Sequence, residues 1–178
     1  QTGRMVLVMS GSIGCGPVTA LALKLLRRLP RDTFVVVVCG KNKSQFRELQ
    51  RYARFREKLY PVGFTDRMDL FLSAADIAVT KPGGLSCTEL AQKGVPAVLM
   101  LSVPGCESRN LEFFTRYGMA LGTTGVRDTV SAVRRLLENP AMMKGMTSLQ
   151  RSLPQGAAAA ICELVSGEHI PADEQSGS

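Results

Sequence analysis

Val79-Thr80-Lys81-Pro82-Gly83-Gly84-Leu85-Ser86-Cys87-Thr88-Glu89 is the stretch on which the reading of this chain turns. A short apolar strand runs into Pro-Gly-Gly, which lets the backbone bend sharply with no Cβ in the way of a ligand. Ser86 and Thr88 are small and polar, suited to capping a following helix, whose free N–H groups attract anions. Glu89 lies one turn into that helix, where a carboxylate can reach ribose hydroxyls. Two readings are open: a phosphate-binding turn, or the plain strand, glycine turn and capped helix of many α/β proteins. A buried-looking run, Ala97 to Leu101, follows, and then Val103-Pro104-Gly105-Cys106-Glu107-Ser108-Arg109-Asn110, a second Pro-Gly turn that opens a polar segment.

The same arrangement recurs upstream. Met5 to Met9 reads as a first strand, followed by the glycine-rich Gly11-Ser12-Ile13-Gly14-Cys15-Gly16-Pro17. Val18, Leu21, Ala22, Leu25, Leu26 and Leu29 then recur at helical spacing until Pro30. Phe34 to Val38 is a second strand, β-branched at nearly every residue, as expected where both faces are buried. It leads into Cys39-Gly40-Lys41-Asn42. Residues 44–58 read as a helix with Phe46, Leu49 and Ala53 on one face and Arg47, Arg51, Arg54 and Lys58 on another. That basic stripe faces either solvent or an anionic membrane. Strands at Leu59–Val62, Ile77–Thr80, Ala97–Leu101 and Met119–Gly122 complete six. Helices fall between them around Leu70–Ala74 and at Ser108–Tyr117, then at 127–138, 140–152 and 156–166. Residues 167–178 read as a disordered polar tail.

Strands and helices that alternate six times, with glycine turns at strand ends, specify a parallel sheet covered on both faces. This is the α/β, Rossmann-like, doubly wound class, in which ligands bind at the carboxyl ends of the strands. No linker divides residues 1–166, so they read as one domain.

The 178 residues suffice for a real core, and 45% apolar with 21% charged residues is ordinary for a globular fold. Net charge is +7; the only charges after Arg151 are four acids, so the preceding chain carries four more, +11. That excess suits anionic partners. Five cysteines without a CxxC pair, and a single histidine at His169, argue against a zinc site and for reduced thiols in the cytoplasm. No apolar run approaches the roughly 18 residues of a membrane span, and no signal peptide is visible. The chain begins at Gln1 and goes almost straight into a strand, which reads as a piece of a longer protein.

A dinucleotide is a poor fit. Gly14-x-Gly16 is followed by Thr19 rather than a third glycine, and the second strand ends in Cys39-Gly40-Lys41 with no carboxylate for a ribose. A P-loop lysine is missing too.

Five motifs in order carry a family resemblance: Met9-Ser10-Gly11-Ser12-Ile13-Gly14; Cys39-Gly40-Lys41-Asn42; Gly63-Phe64-Thr65-Asp66-Arg67-Met68; Thr80-Lys81-Pro82-Gly83-Gly84 with Glu89; and Pro104-Gly105-x-Glu107 with Asn110. From about Val6 to Leu153 the chain resembles the C-terminal, donor-binding domain of GT-B glycosyltransferases. The nearest look is to processive diacylglycerol glucosyltransferases and monogalactosyldiacylglycerol synthases. The peptidoglycan N-acetylglucosaminyltransferase is a more distant likeness.

The resemblance implies a UDP-sugar site. Ser12, Ile13, Gly14 and Gly16 would lie against the diphosphate, approached from the other side by Pro82, Gly83, Gly84, Leu85 and Ser86. Gly40 and Lys41 belong to the same nucleotide site. Phe64 and Thr65 match the segment that contacts uracil, with Met68 lining the pocket, and Glu89 matches the ribose carboxylate. Gly105, Cys106, Glu107 and Asn110 match the segment that touches the sugar. Other readings stay open: Phe64 and Met68 as core, Asn110 as helix surface, Glu107 as a first-turn helix charge. Cys106 stands where the family has Gln, an amide replaced by a weak S–H donor, which leaves the sugar undetermined.

By the same resemblance the donor is UDP-glucose or UDP-galactose, no cofactor or metal is needed, and nucleic acid is not a partner. The base and the lipid-acceptor site belong to an N-terminal domain that this sequence lacks, and the last helices, after Pro140, could pack back on it. The full-length protein would then sit on the cytoplasmic face of a membrane and add a hexose to a lipid such as diacylglycerol, with inversion. A UDP-sugar epimerase of similar architecture and a non-catalytic nucleotide-binding module are the alternatives.

Overall fold

The structure, a computed structural model, describes residues 3–9, 17–100 and 106–153. Its elements run β1 (Arg4–Met9), α1 (Val18–Arg28), β2 (Thr33–Val38), α2 (Lys43–Ala53), β3 (Leu59–Val62), α3 (Met68–Ala74), β4 (Ile77–Thr80), α4 (Gly84–Lys93), β5 (Ala97–Met100), α5 (Cys106–Arg116), β6 (Leu121–Thr123), α6 (Val126–Glu138) and α7 (Pro140–Arg151). The six strands form one sheet in the order β3-β2-β1-β4-β5-β6, and every pairing is parallel. The direction of winding reverses between β1 and β4, which makes their carboxyl ends the switch point of the sheet.

Alternation along the strands builds two cores. Val6, Val8, Val35, Val37, Ile77 and Val79 face α1, α2 and α6. Leu7, Val36, Val38, Ala78 and Leu99 face the opposite layer with Leu72 of α3 and Cys87 and Leu90 of α4. Val6, Val35 and Val37 are fully buried. Each such side chain contributes about 1.5–3 kcal/mol, so the sheet's centre is rigid and its strand-end loops are held by it.

Several boundaries differ from the sequence reading, three of them as follows. The second helix stops at Ala53, not 58. The Lys58 carbonyl is already in the sheet ladder, accepting from the Val35 amide at 2.8 Å, so residues 54–57 must turn. Arg47, Arg51, Arg54 and Lys58 are therefore not one helical stripe. The last strand is Leu121–Thr123, because the amides of Met119 and Ala120 are used to close α5 on the Phe114 carbonyl. α5 itself begins at Cys106, two residues before the expected start.

The helix after Pro140 packs on this domain. Gln150 of α7 is 1% exposed, and its amide nitrogen donates to the carbonyls of Val95 at 2.9 Å and Met119 at 2.8 Å. Thr147 donates to the Gly94 carbonyl at 3.0 Å. These contacts lie at the amino end of β5, so α7 braces the edge opposite the glycine loops. The expected helix at 156–166 and the tail at 167–178 lie outside the described residues.

Candidate binding site

The sequence-predicted residues that are described all fall at the carboxyl ends of the strands, in two groups on either side of β1. The β1 loop itself, with Ser12, Ile13, Gly14 and Gly16, lies outside the described residues, as do Gly105 and the side chain of Cys106. Met9, the last residue of β1, pairs with Val38 of β2 and Thr80 of β4, so the carboxyl end of β1 lies between the two groups.

The first group follows β4. The chain leaves the sheet at Thr80, and the Gly83 amide bonds back to the Lys81 carbonyl at 2.8 Å in a tight turn. α4 then starts at once, with Gly83 as its N-cap and no side chain accepting from its first amides. Ser86 and Thr88 are not caps: helix formation begins at Gly84, so both lie inside it, and Thr88 donates back to the Gly84 carbonyl at 2.9 Å. The amides of Gly84, Leu85 and Ser86 have no acceptor within the helix, and the helix dipole makes this end electropositive. Leu85 stands 75% exposed beside them. Glu89 is half-buried one turn further on.

α5 closes on this turn through two side-chain contacts. The Lys81 ammonium donates to Glu107 Oε1 at 2.7 Å, and Asn110 Nδ2 donates to the Pro82 carbonyl at 2.9 Å. Asn110 is thus a bridge between two binding segments, not plain helix surface. Glu107 occupies the first turn of α5, where the dipole favours it, and is ion-paired as well. Beneath lies Cys87, 1% exposed, whose thiol is pushed up to about 11 by burial, with the Glu107 carboxylate adding to the effect.

The second group follows β2 and β3. Gly40 takes φ +56°, a left-handed conformation that turns the chain out of β2. Asn42 then caps α2, its side-chain oxygen accepting from the Gln45 amide at 2.9 Å. Lys41 holds its ammonium 5.9 Å from the centre of the Phe64 ring. Phe64 is 68% exposed and so is no core residue, whereas Met68, at the start of α3, packs partly into the core that holds Leu72 and Leu90. The Thr65 hydroxyl accepts from the Arg67 amide at 3.1 Å. That bond fixes the turn.

Two features escaped the sequence reading. Thr80 is buried at the switch point, and among the described residues its hydroxyl has no hydrogen-bond partner. A lone hydroxyl in an otherwise apolar buried strand was the available signal. The Lys81–Glu107 pair had none, since 26 residues separate its members. Cys39, the other described thiol, is buried at the end of β2 and likewise pushed up to about 11 by desolvation. Neither described thiol is a nucleophile at neutral pH. Among the described residues no group of three His, Cys, Asp or Glu side chains could hold a metal ion, and no helix is long and apolar enough to cross a membrane.

This architecture and these loops have known counterparts. The family model for the glycosyltransferase family 28 C-terminal domain matches residues 5–109. A processive diacylglycerol beta-glucosyltransferase of Bacillus pumilus is 32% identical over 84% of this chain and 39% of its own length. The UDP-N-acetylglucosamine–N-acetylmuramyl-(pentapeptide) pyrophosphoryl-undecaprenol N-acetylglucosamine transferase of Pseudomonas savastanoi is 31% identical over 85% of this chain and 46% of its own. The chain thus spans less than half the length of either relative. The crystal structure of Acinetobacter baumannii MurG superposes with a TM-score of 0.73 over 93% of this chain and 50% of that one, at 21% identity, a likeness of fold.

Proposed function

This chain belongs to the glycosyltransferase family 28 C-terminal domain family, and we propose that it is the donor half of a hexosyltransferase, holding UDP-glucose or UDP-galactose for transfer to a lipid. One observation carries the reading. The uncapped start of α4 lies at the sheet's switch point and is tied by Lys81–Glu107 and Asn110–Pro82 to the start of α5. Two helix N-termini and their polar side chains are thereby fixed in one rigid unit, which suits an anion with a polyhydroxyl group attached.

In this reading the backbone amides of Gly84, Leu85 and Ser86 take the diphosphate, together with Ser12, Ile13, Gly14 and Gly16. They favour the leaving diphosphate as its charge develops, so they would act on the transition state as well as on binding. Glu89 accepts from the ribose hydroxyls. The exposed Phe64 ring packs on the uracil face, with Met68 behind it and Lys41 adding positive charge from the loop after Gly40. Glu107, oriented by Lys81, and Asn110 meet the hexose beside Gly105 and Cys106. No described side chain here is a suitable base. The acceptor and its base would come from a separate domain, and the transfer would invert the anomeric centre without a metal. A lipid such as diacylglycerol as acceptor, and a place on the cytoplasmic face of a membrane, belong to the same proposal and are supported by the lipid substrates named for the relatives.

A UDP-sugar epimerase is not favoured, because the relatives above 30% identity are transferases. The test is a transfer assay with diacylglycerol and either UDP-hexose. A longer protein that joins this chain to an acceptor domain should form glycolipid, and the 178-residue chain alone should not. Turnover by the isolated chain would overturn the division of labour.

A further inference from the structure

Eight of the cations that the donor site does not use line two grooves beside α1. There α1 lies between α6 and the turn that joins α2 to β3. A groove of about 350 Å³ between α1 and α6 is lined by Lys24, Arg28, Arg127 and Arg134. On the other flank of α1, a second groove of about 450 Å³ takes Arg27 from α1, Arg31 from the connection to β2, and Phe55, Arg56 and Lys58 from the turn. Carboxylates are sparse along both. Glu57 lines the second groove, and Glu138 pairs with Arg134 at 2.7 Å.

Helix electrostatics explains only part of this. Arg27 and Arg28 complement the carboxyl end of α1. Arg127 stands in the first turn of α6, where the dipole opposes a cation, offset only by the adjacent Asp128. Lys24, in mid-helix, gains nothing from either end. Four cations converge on one groove against a single paired carboxylate, an arrangement that repels itself in water and is relieved by an anionic surface. The rim adds an apolar element: Phe55 is 85% exposed, between Arg54 and Arg56. An aromatic ring set among cations fits the boundary between lipid headgroups and acyl chains.

We propose that the α1–α6 face docks on the surface of an anionic lipid bilayer, with Phe55 entering the headgroup layer. The inference rests on the reading that the acceptor is a lipid. α1 and α6 cover a face of the sheet, whereas the donor loops lie along its carboxyl edge, so docking leaves that edge open sideways, parallel to the bilayer. The residues involved differ from Arg47 and Arg51 of α2 and from Lys93 at the end of α4, none of which lines either groove. The side of α2 that meets α1 carries Glu48, bonded to the Thr19 hydroxyl at 3.0 Å.

The experiment is co-sedimentation of the chain with phosphatidylcholine vesicles, with and without phosphatidylglycerol, at low and high salt. One variant carries Lys24→Gln, Arg28→Gln and Arg127→Gln. A second carries Arg47→Gln, Arg51→Gln and Lys93→Gln, with the same change in charge. Gln and Arg have similar helix propensity, so both should fold, which circular dichroism checks. The wild type should bind only the anionic vesicles, and more weakly in high salt. The first variant should lose at least tenfold in partitioning and the second much less, while Phe55→Ser alone should also reduce it. Equal losses in both triple variants, or no preference for anionic vesicles, would overturn the proposal. So would binding to an oligonucleotide but not to vesicles. UDP titration of the same samples separates the two readings, because neither triple variant touches the donor loops. Vesicle binding without UDP binding would sink the donor site and leave this face standing.

Discussion

Lys81 Nζ lies 2.7 Å from Glu107 Oε1, and this ion pair joins the turn after β4 to the first turn of α5. Both side chains are partly exposed, at 43% and 29%, so water screens the pair and its share of stability is about 0–1 kcal/mol. Its consequence is geometric: one carboxylate oxygen is held by Lys81, which fixes where the other points.

Lys81→Met should therefore leave the melting temperature nearly unchanged and weaken binding of UDP-hexose about tenfold, a loss of roughly 1.4 kcal/mol. Binding of UDP, which lacks the hexose, should change less. Lys81→Arg should restore most of the difference. Parallel titrations with UDP and UDP-hexose, together with a melting curve, check this; equal losses for both ligands would mean that Lys81 contacts the diphosphate instead.

Gly84 separates structural from ligand-binding roles. Among the described residues a Cβ built there meets nothing closer than Asn110 Nδ2 at 3.8 Å, an ordinary contact, so their packing does not require glycine. Gly84→Ala should keep or raise stability by up to about 1 kcal/mol, since Ala is the better helix former. If the diphosphate approaches this backbone closely, affinity for UDP should fall at least tenfold. Unchanged affinity would remove α4's first turn from the site.

Gly94 is the opposite case. It ends α4 at φ +65°, and an added Cβ would come within 2.8 Å of Arg151 Nε and 3.0 Å of Thr147 Cγ2 on α7. Gly94→Ala combines left-handed backbone strain with a clash against the helix that braces the sheet. A loss of about 1–2 kcal/mol is expected from the strain alone, or roughly 2–8 °C in a thermal melt. UDP affinity should survive in the folded variant, because the site lies at the other end of the strands.

Two buried thiols set an alkaline limit. Cys39 and Cys87 ionise near 9.0 when unfolded and near 11 in the fold, both through desolvation. A folded value raised above the unfolded one means that stability is intact below pH 9 and declines as pH rises from about 9 to 11, because only the unfolded chain can release the protons. Both thiols should resist iodoacetamide at pH 8 and react once the chain is denatured, as peptide mass mapping can show. Rapid labelling of either in the native chain would contradict their burial.

The sheet was readable in the sequence because a parallel strand buried on both faces is nearly pure hydrophobe. Thr33–Val38 and Ile77–Thr80 stand out on that ground, and glycine turns mark their ends. Helix ends were less legible. Nothing in residues 54–58 announces that the Lys58 carbonyl is committed to β2, and Ser86 and Thr88 look like caps until Gly84 is seen to start the helix. Of the site, the glycines and Glu89 could be picked from local pattern and resemblance. The Lys81–Glu107 and Asn110–Pro82 contacts could not, because they exist only once β4 and β5 lie side by side.

The most direct measurement is calorimetric titration of the chain with UDP, UDP-glucose, UDP-galactose and UDP-N-acetylglucosamine. Expected are saturable one-to-one binding of UDP, tighter binding of at least one UDP-hexose, and at least tenfold weaker binding of both in Gly84→Ala. Failure of every uridine nucleotide to bind the folded chain would contradict it.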